Sequence, residues 1–150
     1  MKYVILITCT VIFVYLNAQE KEMKTEQSER YQKGIENLMR IDGESGENVV
    51  QKLNEFSPDL GKYVIEYPFG DVYDRDIFTD REKEIAVVAA LTALGNAKPQ
   101  LKVHLNAALN VGLTPEELKE IMIIMSVYAG FPAALNGTFA LEEVLEERYK

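Results

Sequence analysis

From residue 31 onward the apolar positions recur at helical spacing, and no stretch keeps a sustained strand alternation. Tyr31, Ile35, Leu38 and Met39 stand at i, i+4, i+7 and i+8, which predicts a first helix with one apolar face. Residues 42–46 hold two glycines and a serine and predict a turn. Asn48 can cap a second helix with Val49, Val50, Leu53 and Phe56 inside. Pro58 opens a third, in which Leu60, Val64 and Ile65 face inward and Tyr67-Pro68 end the run. Residues 69–78 interleave aromatics with acids and Arg75 without a clean period, which predicts an ordered loop holding at most one short helical turn. The last helix begins near Pro132 and runs to about Arg148, with Leu135, Phe139, Leu141, Val144 and Leu145 as its apolar side.

Residues 79–131 are the most strongly punctuated part of the chain. Thr79 precedes Glu82 by three residues and Thr114 precedes Glu117 by three, two capping boxes in which hydroxyl and carboxylate satisfy amides at a helix start. Gly95, Gly112 and Gly130 fall where helix ends favour a residue tolerant of positive φ. Pro99, Pro115 and Pro132 fall in first turns, where a missing N–H costs nothing. The middle helix carries Leu101, His104, Leu105 and Ala108 on one face, so the single histidine of the protein lies on an apolar stripe. The fold class that follows is all-α, one domain of five to seven helices.

Two segments are apolar nearly all round, IAVVAALTAL at residues 85–94 and IMIIMSVYA at residues 121–129. Such helices are buried on every side, either as the central pair of a bundle or by contact with another copy of the chain in a closed oligomer. The second reading is the expected one, because a domain of this size has a limited interior.

Composition narrows the functional classes. Met1-Lys2, an apolar run over residues 3–16 and Asn17-Ala18 form the pattern of a secretory signal peptide at residues 1–18, cut after Ala18. The run is short for a membrane-spanning helix, which needs about 20 apolar residues. Residues 19–29 are polar and charged and read as a mobile leader, leaving residues 30–150 as the domain. Export to a periplasm-like compartment is the expectation, with the cytoplasm as the alternative should the leader not act as a signal. Once Lys2 is removed, 15 basic residues face 24 acidic ones, a net charge of −9. That balance argues against nucleic acid and anionic membrane surfaces as partners. Cys9 is the one cysteine and leaves with the signal, so the remaining chain has no thiol, disulfide or cysteine metal site. A single histidine likewise excludes a cluster of histidines around a metal.

Six segments, RYQKG at residues 30–34, KLNEFSPDL at 52–60, FGDVY at 69–73, AALTALG at 89–95, LKVHLNAALNVGLTPEELKE at 101–120 and YAGFPAALN at 128–136, together resemble the carboxymuconolactone decarboxylase family. Their order and spacing match over essentially residues 30–148. The resemblance implies an all-helical fold, trimers or hexamers, and no bound cofactor or metal. One branch of the family, similar to alkylhydroperoxidase D, carries Cys-x-x-Cys-x-x-x-His. Counting back from His104 puts those cysteines at Gln100 and Ala97, so peroxide reduction through a thiolate and a resolving thiol is disfavoured.

The decarboxylase branch keeps the histidine without the cysteines, as this chain does. The implied reaction removes CO2 from a small carboxylated lactone or related keto acid, with His104 as general acid or base. The family's Arg-Glu pair maps to Lys83-Glu84, with lysine in place of arginine, although Arg81-Glu82 lies two residues upstream and both remain open. The expectation is that Glu84 orients the imidazole, while Phe69, Tyr73, Arg75, Arg81 and Tyr128 line the pocket and Arg75 pairs with a substrate carboxylate. A non-enzymatic exported binding module is the alternative, in which His104 is an ordinary core residue.

Overall fold

A computed structural model describes residues 29–150. The readings of residues 1–18 as a signal and of residues 19–28 as a leader lie outside the described residues. Seven α-helices and one π-helix make up the described chain, which contains no strand. They are α1 (Glu29–Ile41), α2 (Glu44–Phe56), α3 (Pro58–Val64), a π-helix (Ile65–Val72), α4 (Asp80–Leu94), α5 (Lys98–Asn110), α6 (Pro115–Tyr128) and α7 (Phe131–Tyr149).

The expected capping boxes are present at both places. Thr79 and Glu82 exchange bonds at the head of α4, and Thr114 and Glu117 do the same at the head of α6. Gly95 ends α4 at φ 71°, a conformation that only glycine adopts without strain. Because three residues separate α4 from α5, the two helices lie side by side, and α5 in turn packs on α7. Val88, Leu101, Leu105, Leu118, Met122, Leu141 and Val144 form the larger core among these four C-terminal helices.

A second core lies on the other side of α5, built from Leu38, Ile41, Val50, Ile65, Phe69, Tyr73 and Ala107. Here α1 runs against the π-helix. A methyl group on Gly34 would collide with the carbonyl of Ile65, and one on Gly70 with the carbonyl of Arg30, so two bare backbones set the spacing. Arg30–Asp71 and Lys33–Asp74 ion pairs run along the outer edge of the contact.

Four sequence readings are corrected. Pro68 does not stop the third helix: the chain winds on as a π-helix to Val72, which accounts for the short helical turn within residues 69–78, residues 73–78 following as a loop, and the Tyr73 amide reaches back to the Pro68 carbonyl at 2.8 Å. Proline breaks an α-helix because its ring meets the carbonyl four residues earlier; the wider i→i+5 winding relieves that contact. The second helix starts at Glu44 rather than after Asn48, with Gly43 at φ 57° as its N-cap. Several residues read as inward are exposed, led by Phe56 at 93 % and including Leu60, Leu135 and Phe139. Their positions meet the helical period, but no element among the described residues covers them. Finally, Glu29 already belongs to α1 rather than to the leader.

Candidate functional site

Glu84 lies in the second turn of α4, on the face that also carries Val88 and Thr92 into the core. It is 0 % exposed. A buried carboxylate is tolerated only when its oxygens are bonded, and both are. The Tyr73 hydroxyl donates to Oε1 at 2.6 Å, and Nδ1 of His104 lies 3.0 Å from Oε2. Tyr73 comes from the end of the π-helix and His104 from the middle of α5, so three elements converge on one carboxylate.

Each partner is held in turn. Tyr73 stacks on Phe69 with ring centroids 5.2 Å apart, and Lys83 donates to the Tyr73 carbonyl at 2.6 Å. The Phe69 carbonyl accepts from Asn37 at 2.8 Å, which ties the π-helix to α1. Burial, reinforced by the Glu84 charge, pushes the Tyr73 hydroxyl far above its ordinary range, so it stays a neutral donor. For His104, burial works against the imidazolium, but the hydrogen bond and charge of Glu84, helped by Asp42, outweigh it and raise the pKa above 6.5. The histidine side chain is 21 % exposed, so the ring is held from within while one edge reaches the surface.

Asp42 completes the group and was not singled out from the sequence. It is 4 % exposed, and one of its oxygens, Oδ1, has no hydrogen-bond partner among the described residues. One ligand-type atom from each of Asp42, Glu84 and His104 lies within 4.8 Å of the other two. Two carboxylates and an imidazole are donor types that suit a divalent cation. The 3.0 Å contact between His104 and Glu84 nevertheless has the length of an N–H···O bond, which assigns a proton to that edge. Burial pushes the Asp42 carboxyl up to about 7, with His104 pulling the other way. A sequence signal for Asp42 was available only in part, since an aspartate beside Gly43 reads first as a turn residue.

A cavity of about 560 Å³ lies across Tyr73 from this group. Its walls are apolar side chains including Ile77, Phe78, Ile85 and Val87, with Arg75 and Lys83 as its cationic residues. The imidazole is not one of its lining residues, and the cavity shares Tyr73 with the site. The α4 helix separates the two by its geometry, because Glu82, Ile85, Ala86 and Ala89 follow one face while Glu84 and Val88 follow the other.

The remaining candidates divide cleanly. Phe69 is buried beneath Tyr73 and supports it without lining the cavity. Arg75 does line the cavity. Arg81 is instead ion-paired with Glu117 at the start of α6, and Glu82 is occupied as a cap, so of the two upstream pairs it is Lys83-Glu84 that meets Tyr73 and His104. Tyr128 is 83 % exposed at the end of α6 and does not line this cavity.

Residues 58–143 match the carboxymuconolactone decarboxylase family. The chain is similar to the 4-carboxymuconolactone decarboxylase of Acinetobacter baylyi, 32 % identical over 120 residues covering 79 % of this chain and 89 % of that protein. It is also similar to peroxisomal protein 2 of Saccharomyces cerevisiae, 29 % identical over 70 % of this chain and 38 % of that one. Nitrosuccinic acid decarboxylase npaB of Metarhizium robertsii is 23 % identical over 67 % of this chain and 70 % of its own length. With its all-helical fold and a match over more than half its length, this chain belongs to the carboxymuconolactone decarboxylase family.

Proposed function

We propose that this protein decarboxylates a small carboxylated lactone or related keto acid, with His104 as the proton donor and without an organic cofactor. The observation that carries the reading is the Tyr73–Glu84–His104 chain of hydrogen bonds, which ties one imidazole nitrogen to a buried carboxylate and leaves the ring edge toward the surface. Two relatives whose names describe decarboxylases, of carboxymuconolactone and of nitrosuccinic acid, support the reaction class.

In the reaction the bond between the substrate carbon and its carboxylate breaks, and CO2 departs. The electron pair stays behind, spread over the adjoining unsaturated lactone or carbonyl. His104 then delivers a proton to carbon and is left neutral, and solvent restores it. A histidine whose pKa is raised holds that proton at neutral pH, which suits the donor role. Glu84 keeps Nδ1 engaged, so the other nitrogen is the one that faces the reacting carbon. Tyr73 holds Glu84 without competing for the proton, because its own hydroxyl stays neutral.

Arg75, expected from the sequence to pair with a substrate carboxylate, lines the 560 Å³ cavity that α4 separates from His104, so the substrate is placed instead against the exposed edge of the imidazole. Thiol-based peroxide reduction has no support, since Cys9 is the only cysteine and Ala97 and Gln100 stand at the redox positions.

Association and location belong to the same proposal. Ile123, Ile124, Val127 and Tyr128 of α6, with Phe131, Leu135 and Phe139 of α7, present apolar side chains to solvent, and copies of the chain cover them in a trimer or hexamer. Export rests on residues 1–18 and is independent of the chemistry.

The test is CO2 release by purified protein from 4-carboxymuconolactone and a panel of small keto acids. Release by the wild type and a loss of about 10²-fold or more in His104→Ala, with the helical signal unchanged, is the expected result. Full activity in His104→Ala refutes the assignment. No release from any member of the panel leaves a binding module as the better reading.

A further inference from the structure

The Glu84–His104 pair accounts for one carboxylate at the imidazole, but the structure holds a second whose position nothing in the pair explains. Asp42 sits at the corner between α1 and α2. An aspartate just before a helix ordinarily caps it. Asp42 does not: Gly43 is the N-cap of α2, and no side chain bonds to the first-turn amides there. Nor does it form an ion pair among the described residues, for Arg40 two residues away is committed to Asp80 and Asn37. The carboxylate is 4 % exposed, its Oδ1 has no partner among the described residues, and it lies within 4.8 Å of both Glu84 and His104.

Burying such a group costs free energy unless something opposes its charge. The groups that face it are few. From α4 comes Glu84, also an acid; from the end of the π-helix comes Tyr73, neutral; from α2 comes Gly46, whose missing side chain makes the room. Among the described residues only α5 brings a group that can be positive, and that group is His104.

We infer that Asp42 is a third member of the site, a positioning residue that acts through His104: it faces the imidazole from the α1–α2 corner while Glu84 faces it from α4, and the two carboxylates together keep the proton on the ring. Glu84 fixes the orientation by a direct hydrogen bond, and Asp42 adds charge without one. The arrangement gives the site a proton held against the desolvation of the ring. The direction of the imidazole's titration agrees, with both Glu84 and Asp42 raising it. The catalytic consequence rests on the decarboxylase reading above, but the effect on the ring does not.

The chain contains one histidine, so its imidazole signals report this site without ambiguity. The experiment is an NMR titration of that ring in the wild type, Asp42→Asn and Glu84→Gln. In Asp42→Asn the midpoint is expected to fall by up to about half a pH unit, the effect of a unit charge across such a distance under strong screening, because the Asp42 carboxyl, itself pushed up to about 7, carries only part of its charge where the ring titrates. Glu84→Gln, which loses a hydrogen bond as well, is expected to move it further. An unmoved midpoint in folded Asp42→Asn overturns the inference and leaves Asp42 a merely structural residue. Thermal unfolding of the same variant separates the cases, because a structural role changes the melting temperature and leaves the ring titration where it was. In an enzyme assay the inference further requires the high-pH limb of kcat to move down with KM unchanged. A shifted midpoint without decarboxylation of any substrate upholds the inference and defeats the reaction assigned above.

Discussion

The two cores on either side of α5 handle polar groups in opposite ways. In the C-terminal core the helices meet through aliphatic side chains and methionine, and its buried polar residue Thr92 satisfies itself on the Val88 carbonyl of its own helix, with the Met122 sulfur beside it. The N-terminal core buries Asn37, Asp42 and Glu66 and adjoins Glu84. Its helices approach through Gly34 and Gly70, and a π-helix replaces the ordinary winding. One region is filled by shape alone. The other spends its stability on placing charges. The difference teaches where chemistry can live in a small helical domain: at the seam where α4 and α5, anchored in the quiet core, turn one side chain each toward the polar one.

The comparison is broken most severely by removing the seam. His104→Ala and Glu84→Gln are expected to lower decarboxylation by about 10²–10⁴-fold while the helical content stays intact, checked by initial rates and circular dichroism. Glu84→Ala is the harsher change, since it strands the Tyr73 hydroxyl and the imidazole in a buried place.

Next in size are the glycines that let α1 approach the π-helix. Gly34→Ala is expected to destabilise the fold by about 1–3 kcal/mol in urea titration, because the new methyl meets backbone rather than a movable side chain. Gly95→Ala is also costly, but for a different reason: there the space is open, and only the left-handed backbone resists.

A subtler contrast concerns pH. Asp42 titrates at about 7 in the fold against an ordinary 3.8, and His104 is also raised. Groups raised by folding contribute most below their unfolded values, and that contribution fades as pH rises through the folded ones. Glu82, Glu117 and Glu143 are lowered, so their contribution is lost on acidification through their folded values. Melting temperature is therefore expected to peak in mildly acidic solution and to decline by pH 8.5. Asp42→Asn is expected to remove much of the alkaline decline, gaining about 1–3 kcal/mol at pH 8.5 after the cost of an unpaired buried amide, and to gain nothing at pH 4.

The smallest effect expected on the folded monomer comes from the outer face of α6. Val127→Glu and Ile123→Glu lie on exposed positions and are expected to alter monomer stability by less than about 0.5 kcal/mol. Light scattering of the same variants is expected to show smaller assemblies than the wild type, as the proposed association through this face requires.

Much of the C-terminal core was legible because its signals are local. Thr79 with Glu82, Thr114 with Glu117, and the glycines and prolines between them each state a helix boundary within a few residues. His104 on an apolar stripe and Glu84 one helix earlier were likewise readable, and they do meet. The N-terminal half was less so. Pro68 signals a stop to any reading based on α-helical geometry, and the π-helix that carries Tyr73 past it depends on packing against α1. Asp42 lies 42 residues before Glu84 and 62 before His104, and no periodicity connects them. Phe56, Leu135 and Tyr128 show the other limit, since a helical period says which residues share a face and not what covers it.

The most direct test of the central claim is the pH dependence of kcat for decarboxylation in the wild type and in Glu84→Gln. Activity is expected to fall on the alkaline side with a midpoint above 6.5, since the donor is an imidazolium whose pKa is raised chiefly by Glu84, and that limb is expected to move to lower pH in the variant. An alkaline limb at the same pH in both proteins, or activity that rises as the imidazole loses its proton, contradicts it.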